Sequence, residues 1–407
     1  MFLIVLSIFS LLTTGYILLA TKNHFQGKNA KRVWLFFLVA SFLWELSTIL
    51  YVYIYFQPAY GKATLLSNIA MAGFVALNIS KLVLIGFLLL NDTLRLTLWP
   101  IKSVKNKRVV PLDSRRKFIT NMGLLTAAVP FSGLIYGAIA GKYDYKVWQH
   151  KLVFGSLPES FKGLRIAQIS DVHIGSFDDP LAVRSGLLKL MSYQPDLILF
   201  TGDLVNNLAI EADEYVELFK EVLQAPFGKY AVLGNHDYGE YVQWPNEEEK
   251  VRNQREIQNR YRQMGFELLN NTHTTISNEN DSIALVGVEN WGSGRFPKYG
   301  DYDQAVKGID PEVFTIVMSH DPDHWEYKIK DHSKKAHLTL SGHTHGSQMG
   351  IEIPGWIKWS PVKYRYRRWA GLYQEEDQLL YVNRGFGFIG YPGRIGIWPE
   401  ITILDLA

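Results

Sequence analysis

The sequence predicts an α/β domain preceded by an all-α membrane domain of about four helices, and three observations carry that reading. The first 140 residues hold long apolar runs parted by basic loops, whereas the remainder alternates short apolar runs with helix-like stretches. Charge divides the same way. Residues 1–140 carry 14 Lys and Arg against Glu45, Asp92 and Asp113, a net of +11, while residues 141–407 carry 28 against 36 Asp and Glu, a net of −8. The total of +3 and the hydrophobic share of 47% therefore average two unlike halves, as in a membrane segment joined to a soluble domain. The 407 residues include no cysteine, which excludes a disulfide framework and thiol-based catalysis. No short period or biased run is present, so collagen-like, coiled-coil and low-complexity architectures are excluded as well.

A membrane span needs about 20 mostly apolar residues to cross roughly 30 Å of hydrocarbon. Residues 1–20, 33–56, 63–90 and 118–140 meet that requirement; the third contains Lys81 and the fourth is rich in small residues. Positive charge sets the orientation. The loop at 21–32 holds Lys22, Lys28, Lys31 and Arg32, and the loop at 91–117 holds eight more cations, whereas residues 57–62 hold only Lys62. Both basic loops are thus expected in the cytoplasm, with the N-terminus and everything after Ala140 outside. The run Ser114-Arg115-Arg116-Lys117-Phe118-Ile119 resembles a bacterial twin-arginine export signal placed internally. The alternative is a pair of arginines flanking a membrane helix, and either reading exports the C-terminal half. Glu45 and Lys81 fall at depths that differ by about 5 Å at 1.5 Å per residue, so they can pair; otherwise Lys81 snorkels and Glu45 faces a polar gap.

Residues 141–158 read as a linker and 159–407 as the soluble domain. Strand candidates lie at 164–170, 196–201, 229–233, 282–289, 314–319, 337–341, 379–383 and 397–404, with amphipathic stretches at 181–191 and 211–223 between the first three. Such alternation argues an α/β domain, in which ligands gather outside the carboxyl ends of the strands. Five of these ends carry unusual chemistry: Asp171-Val172-His173, Gly202-Asp203, Gly234-Asn235-His236-Asp237, His320, and Gly342-His343-Thr344-His345. Imidazole and carboxylate are ligands that divalent Mn, Fe and Zn accept, and the glycines let the backbone turn sharply. A lone Asp-x-His is matched as well by an N-capping aspartate. Five such pieces in this order are not matched by any one ordinary role.

That order resembles the calcineurin-like metallophosphoesterases from about residue 164 to 404, and their membrane-anchored or twin-arginine-exported bacterial branch looks most similar. The resemblance implies a four-layer sandwich of two β-sheets flanked by helices. It implies that Asp171, His173, Asp203 and His345 hold one divalent ion and that Asp203, Asn235, His320 and His343 hold a second, Asp203 bridging. His236 would then stand outside the metals as the acid that protonates the leaving oxygen. The ions' identity stays open among Mn, Fe and Zn. The chemistry agrees on general grounds: two cations about 3.5–4 Å apart can share a hydroxide, lower the pKa of its parent water towards about 7 and neutralise phosphate oxygens. A histidine of pKa about 6.5 can protonate the leaving group.

Residues 355–368 place Lys358, Lys363, Arg365, Arg367 and Arg368 among aromatics, either as a contact for phosphate or anionic headgroups or as a solvated basic loop. Arg384 and Arg394 lie in runs that resemble the closing loop of this branch and are expected to bind substrate, the alternative being ordinary pairing. The charged segment 246–263 reads as a solvated helix. His324 reads as a group behind the site or on the surface, and His150, His273, His332 and His337 match no motif. The expected function is a membrane-anchored phosphohydrolase, a phosphodiesterase or pyrophosphatase, with its site on the outer side of a bacterial cytoplasmic membrane. Its partners would be a phosphate ester or lipid-linked phosphate and the lipid bilayer; the net of −8 argues against nucleic acid. A lipid-linked UDP-diacylglucosamine pyrophosphatase-like hydrolase would need the site to face the cytoplasm. A non-catalytic metal-binding receptor or scaffold would have no use for His236. A transporter would need more intramembrane polar groups than Glu45 and Lys81.

Overall fold

The computed structural model describes residues 2–22, 24–25, 27–55, 64–104 and 112–407. The chain divides into two compact units, the first made of four helices: α1 (Phe2–Thr21), α2 (Lys28–Tyr55), α3 (Leu65–Val104) and α4 (Leu112–Ile139). The stretches Leu65–Thr97 and Ser114–Ile139 are long and apolar enough to cross a membrane, and Ile8–Thr21 is a shorter apolar helix. The 57–62 loop, Lys105, Lys107 and Arg108, on which part of the orientation rests, lie outside the described residues, as do Phe56 and Ala63 at the ends of two expected spans. Lys81 pairs with the Glu45 carboxylate and donates to Thr14 Oγ1 at 2.8 Å, all three groups being buried. Of the two readings of these charges, the structure takes the pair, which spares each from facing hydrocarbon alone.

The second unit is a sandwich. Its strands are β1 (Lys146–Leu152), β2 (Arg165–Ile169), β3 (Leu197–Phe200), β4 (Lys229–Ala231), β5 (Glu267–Leu268), β6 (Thr272–Asn278), β7 (Asp281–Val288), β8 (Thr315–Ser319), β9 (Leu338–Ser341), β10 (Ile351–Ile353), β11 (Ile357–Trp359), β12 (Gly371–Glu375), β13 (Gln378–Val382) and β14 (Glu400–Leu406). One sheet has the order β1-β14-β2-β3-β4-β5, the other β12-β13-β9-β8-β7-β6, and β10 and β11 form a separate hairpin. The period of two along each strand sorts the core. Ile166, Leu197, Leu199, Ile316, Met318, Leu338, Leu340 and Tyr381 meet between the sheets. Their neighbours Ala167, Ile169, Ile198 and Phe200 face helices α5 (Pro180–Met191), α6 (Val216–Val222) and α7 (Glu247–Gln263). Val286, Val288, Val317, Leu380 and Val382 pack with Trp325 on the far side. This is the expected two-sheet sandwich with flanking helices.

Local chemistry sets the helix ends. Asp179 accepts from Leu181 N and Ala182 N and is followed by Pro180, a start signal for α5. The charged segment becomes α7, capped by Asn246, with three glutamates in its first turn, Arg260 and Arg262 in its last, and Ile257 and Tyr261 buried. The expected linker carries β1, which pairs in parallel with β14 from Lys146–Glu400 to Leu152–Leu406. Its solvent-facing residues are polar, as suits an edge strand, so its apolar periodicity is faint.

Register positions the site. Strands β2, β3 and β4 run parallel with Ile169 level with Phe200 and Phe200 level with Ala231. In the other sheet Met318 lies level with Leu340, so β8 and β9 also end together. The loops beyond these ends therefore meet along one edge.

Candidate metal centre

Five of the polar residues beyond those strand ends adopt left-handed backbone: Asp171 (φ 50°), His173 (46°), Asp203 (61°), His343 (71°) and His345 (51°). That region is uncommon for side-chain-bearing residues and costs energy, so its concentration here marks a site held by its surroundings. Gly202, at φ 96°, makes the turn possible: a Cβ there would lie 2.5 Å from Gly234 N and 3.0 Å from His320 Nδ1.

The structure brings the expected ligands together. Donor atoms of Asp171, His173 and His345 lie within 4.8 Å of one another, as do those of Asp171, Asp203 and His320, and those of His173, Asp203 and His236. Asp203 Oδ2 lies 3.5 Å from His173 Nε2 and 3.2 Å from His320 Nε2, so one carboxylate oxygen faces both halves of the cluster. His345 Nε2 is 3.2 Å from Asp171 Oδ1. Asn235 Oδ1 lies 2.7 Å from His343 Nδ1 and 3.2 Å from His320 Nε2, and His343 Nε2 meets Tyr366 Oη at 2.7 Å. Asp171, His173, Asp203, Asn235, His320 and His345 are buried, and His236 and His343 are half-buried.

Hydrogen bonds to backbone carbonyls fix two tautomers. His320 Nδ1 donates to Thr201 O at 2.7 Å, which leaves Nε2 pointing at oxygens of Asp203 and Asn235. Three lone pairs converge there, and only a proton or a cation between them relieves the repulsion. Burial alone pushes the His320 imidazolium down, but the carboxylates of Asp203 and Asp171 overturn this and carry it up to about 10. Burial would raise the Asp203 carboxyl too, yet the histidines around it hold it well below the usual range. Burial pushes His173 down to about 3 and holds His343 and His345 well below an ordinary imidazole. Both ring nitrogens of His173 are buried and make no hydrogen bond. Neutral imidazoles beside an ionised carboxylate, His173 with both its lone pair and its N–H unengaged, are what a divalent cation requires of its ligands. The donor set fits a metal.

His236 is held differently. Its Nδ1 donates to Asn206 O at 2.7 Å, its backbone N–H donates to Asp203 Oδ1 at 2.8 Å, and its ring lies 4.8 Å from His173. That bond leaves Nε2 as the nitrogen that can exchange a proton. Burial lowers its pKa, making its protonated form a stronger acid.

The two arginines expected at the substrate are taken up by the protein itself. Arg384 is 2% exposed, bonds Glu352 at 2.6 Å and Glu400 at 2.5 Å, and stacks on Trp148 at 4.4 Å. Arg394 is fully buried, donating to the carbonyls of Arg384, Gly385, Gly387 and His345 and lying 3.2 Å from His345 Nδ1. It braces the loop that carries His345. In the basic stretch, Lys358 donates to Ala370 O, Arg365 meets Ser293 and Asp323, and Arg368 pairs with Glu326 and Glu375. His324 lies behind the site, stacked on Trp291 and 2.8 Å from Ser319 Oγ.

Sequence reasoning gave no role to Asp237, although it stands in the motif that supplied Asn235 and His236. Its carboxylate accepts from Asp203 N (2.9 Å), Leu204 N (3.0 Å), Gly234 N (2.9 Å) and Tyr261 Oη (2.9 Å). It thus ties two ligand-bearing loops together. Tyr366, which bonds His343, had no signal beyond its place in an aromatic-basic run.

A two-sheet α/β sandwich whose strand ends converge on such a cluster defines a metal-dependent hydrolase. The chain belongs to the calcineurin-like phosphoesterase family. That family's sequence model, described as "Calcineurin-like phosphoesterase", matches residues 164–347, and a second, "Probable Calcineurin-like phosphoesterase, transmembrane domain", matches residues 1–142. The uncharacterized metallophosphoesterase YkuE of Bacillus subtilis is 30% identical over 298 residues, covering 72% of this chain and 97% of that protein. The UDP-2,3-diacylglucosamine pyrophosphatase LpxG of Chlamydia trachomatis is 29% identical over 57% of this chain and 81% of its own length. The phosphodiesterase YaeI of Escherichia coli is 27% identical over 72% of this chain and 99% of its own length. The protein is therefore a metallophosphoesterase, a hydrolase of phosphoester bonds with a transmembrane domain and a divalent-metal site.

Proposed function

We propose that Asp171, His173, Asp203 and His345 hold one divalent ion, that Asp203, Asn235, His320 and His343 hold a second, and that His236 protonates the leaving oxygen. The observation that carries this reading is Asp203 Oδ2, set between His173 and His320 at 3.5 and 3.2 Å. The ions, Mn, Fe or Zn, supply positive charge for the phosphate oxygens and lower the pKa of water when bound. The chain's own residues do the rest. Asp203 supplies the negative charge that both histidines face and, through its Oδ1, holds the backbone of His236. Asn206 O fixes the His236 tautomer so that Nε2 carries and gives up the mobile proton.

The substrate class is a phosphodiester or pyrophosphate on a lipid-linked molecule of the bacterial envelope, and the site faces outward from the cytoplasmic membrane. Lys22, Lys28, Lys31 and Arg32 at one boundary and Arg115, Arg116 and Lys117 at another support that sidedness. The likeness to LpxG supports a second reading, cleavage of a sugar-nucleotide pyrophosphate, which would need the site to face the cytoplasm. A reporter fused after Ala407 separates the two, since activity confined to the cytoplasm favours the second.

The role of His236 has its own test. In His236→Gln, turnover of a diester with a poorly leaving alkoxide is expected to fall by about 10²–10⁴-fold, while an ester that releases nitrophenolate is little affected. Equal losses on both substrates would remove His236 from the acid role.

A further inference from the structure

We propose that the hairpin β10–β11 is a wedge that enters the lipid bilayer and seats the catalytic unit on the membrane surface. The register decides which residues share a face: Ile351 pairs with Trp359, Ile353 with Ile357, and Glu352 with Lys358. Opposed residues of an antiparallel pair point the same way, so one face of the ribbon reads Ile351, Ile353, Ile357 and Trp359 with no polar side chain. On the other face the polar heads are engaged by the domain, Glu352 by Arg384 at 2.6 Å and Lys358, otherwise exposed, by Ala370 O. The tip is Pro354-Gly355-Trp356, and Trp356 is 76% exposed. Ile351 and Ile353 are 50% and 43% exposed, and Tyr364, just beyond the second strand, is 78% exposed. Solvent-facing residues of an edge ribbon are ordinarily polar, and a contiguous apolar face with a tryptophan tip marks an interaction surface.

The bilayer is the occupant this surface fits. Gly141 follows α4 by two residues, and a Cβ there would strike the Arg394 carbonyl and the Trp398 ring. The same segment holds the base of the hairpin: Gly350 N donates to Ile395 O at 2.9 Å, and Met349 bridges Ile395. The chain's entry from its membrane helix and the base of the apolar ribbon thus share the stretch 394–398. Exposed Lys363 and Arg367 follow the ribbon, the cations that accompany interfacial aromatics at an anionic surface. Both legs of the hairpin lead to candidate ligands. Ser360 Oγ donates to Gly346 O at 2.6 Å beside His345, and Tyr366 meets His343. Insertion of the tip would therefore hold the metal-binding edge near the headgroups, where a lipid-borne phosphate is presented. The seating rests on the membrane domain alone; its consequence for substrate rests on the proposed function.

The absence of cysteine permits a clean probe. The full chain carrying Trp356→Cys, spin-labelled at that position, is reconstituted in vesicles of phosphatidylcholine, with and without phosphatidylglycerol. Glu248→Cys on α7 serves as the aqueous control. The expected result is that position 356 is shielded from a water-soluble relaxation agent and open to oxygen, unlike position 248. Equal aqueous access at both positions in both vesicles would overturn the proposal, as would shielding that vanishes on dilution of the protein in lipid, which assigns the face to a second copy. In a second arm, Ile353→Ser/Trp356→Ser should lose about tenfold turnover on a phosphodiester lipid in the bilayer and retain turnover of a soluble diester. Failure of every variant and the parent on both esters would count against the proposed function and leave the accessibility result to decide the wedge.

Discussion

Asp203→Ala is expected to lower phosphoester turnover at least about a thousandfold and to strip bound metal from the full chain, because charge stabilisation by metal is worth several kcal/mol and each ~1.4 kcal/mol is tenfold. The reason is geometric. Asp203 is 1% exposed, and its Oδ2 faces His173 and His320 while its Oδ1 accepts the backbone N–H of His236. Alanine removes the carboxylate oxygen that lies between His173 and His320 in the donor set. It leaves His320 Nε2 aimed at Asn235 Oδ1 without the carboxylate that draws positive charge there. Metal content by mass spectrometry and turnover on a chromogenic diester should fall together, with the far-ultraviolet dichroism of the parent retained. Parent-like turnover in a variant that has lost its metal would separate the cluster from catalysis.

Asp237→Ala is expected to cost more in stability than any ligand substitution. The buried carboxylate accepts from four backbone N–H groups, those of Asp203, Leu204, Val205 and Gly234, and from the Tyr261 hydroxyl, all inside the core. A buried donor left unsatisfied costs roughly 1–3 kcal/mol, so after relaxation we expect a loss of about 4 kcal/mol. At about 2–4 °C per kcal/mol for a domain of this size, the catalytic unit's calorimetric transition should fall by about 10 °C. Turnover should fall as well, because the same carboxylate holds the N–H of Asp203 and fixes the turn that presents Asn235. Asp237→Asn keeps one acceptor oxygen but turns an amide NH₂ towards donors, and should lie between parent and alanine. A transition unchanged by alanine would mean that the two loops are held without Asp237.

Much of this was legible before the fold was known, for a specific reason. Residues at the carboxyl ends of parallel strands are forced to one edge, so the strand ends at Asp171, Asp203, Asn235, His320 and His343 predicted a cluster from order alone. What stayed hidden depends on partners that sequence spacing does not encode. Arg384 looks the same on paper whether it meets phosphate or Glu352 and Glu400, and Arg394 finds backbone carbonyls rather than substrate. The tautomers of His236 and His320 are set by the carbonyls of Asn206 and Thr201, groups that every residue possesses. Edge elements were obscured for another reason. Strand β1 buries little of its length, and the apolar face of β10–β11 is exposed, so neither follows the inward-apolar alternation that reveals an internal strand.

The central claim, that these strand-end residues form the metal-dependent hydrolytic site, is tested most directly by stripping the full chain of metal in detergent and titrating Mn²⁺ back. Turnover of a chromogenic phosphodiester is followed beside the matching monoester. The account predicts no turnover in the stripped protein and activity that rises in step with bound metal, with Asp203→Ala inactive throughout. Turnover that is indifferent to metal, or full metal occupancy in the parent with no hydrolysis of either ester or of a phosphodiester lipid, would contradict it.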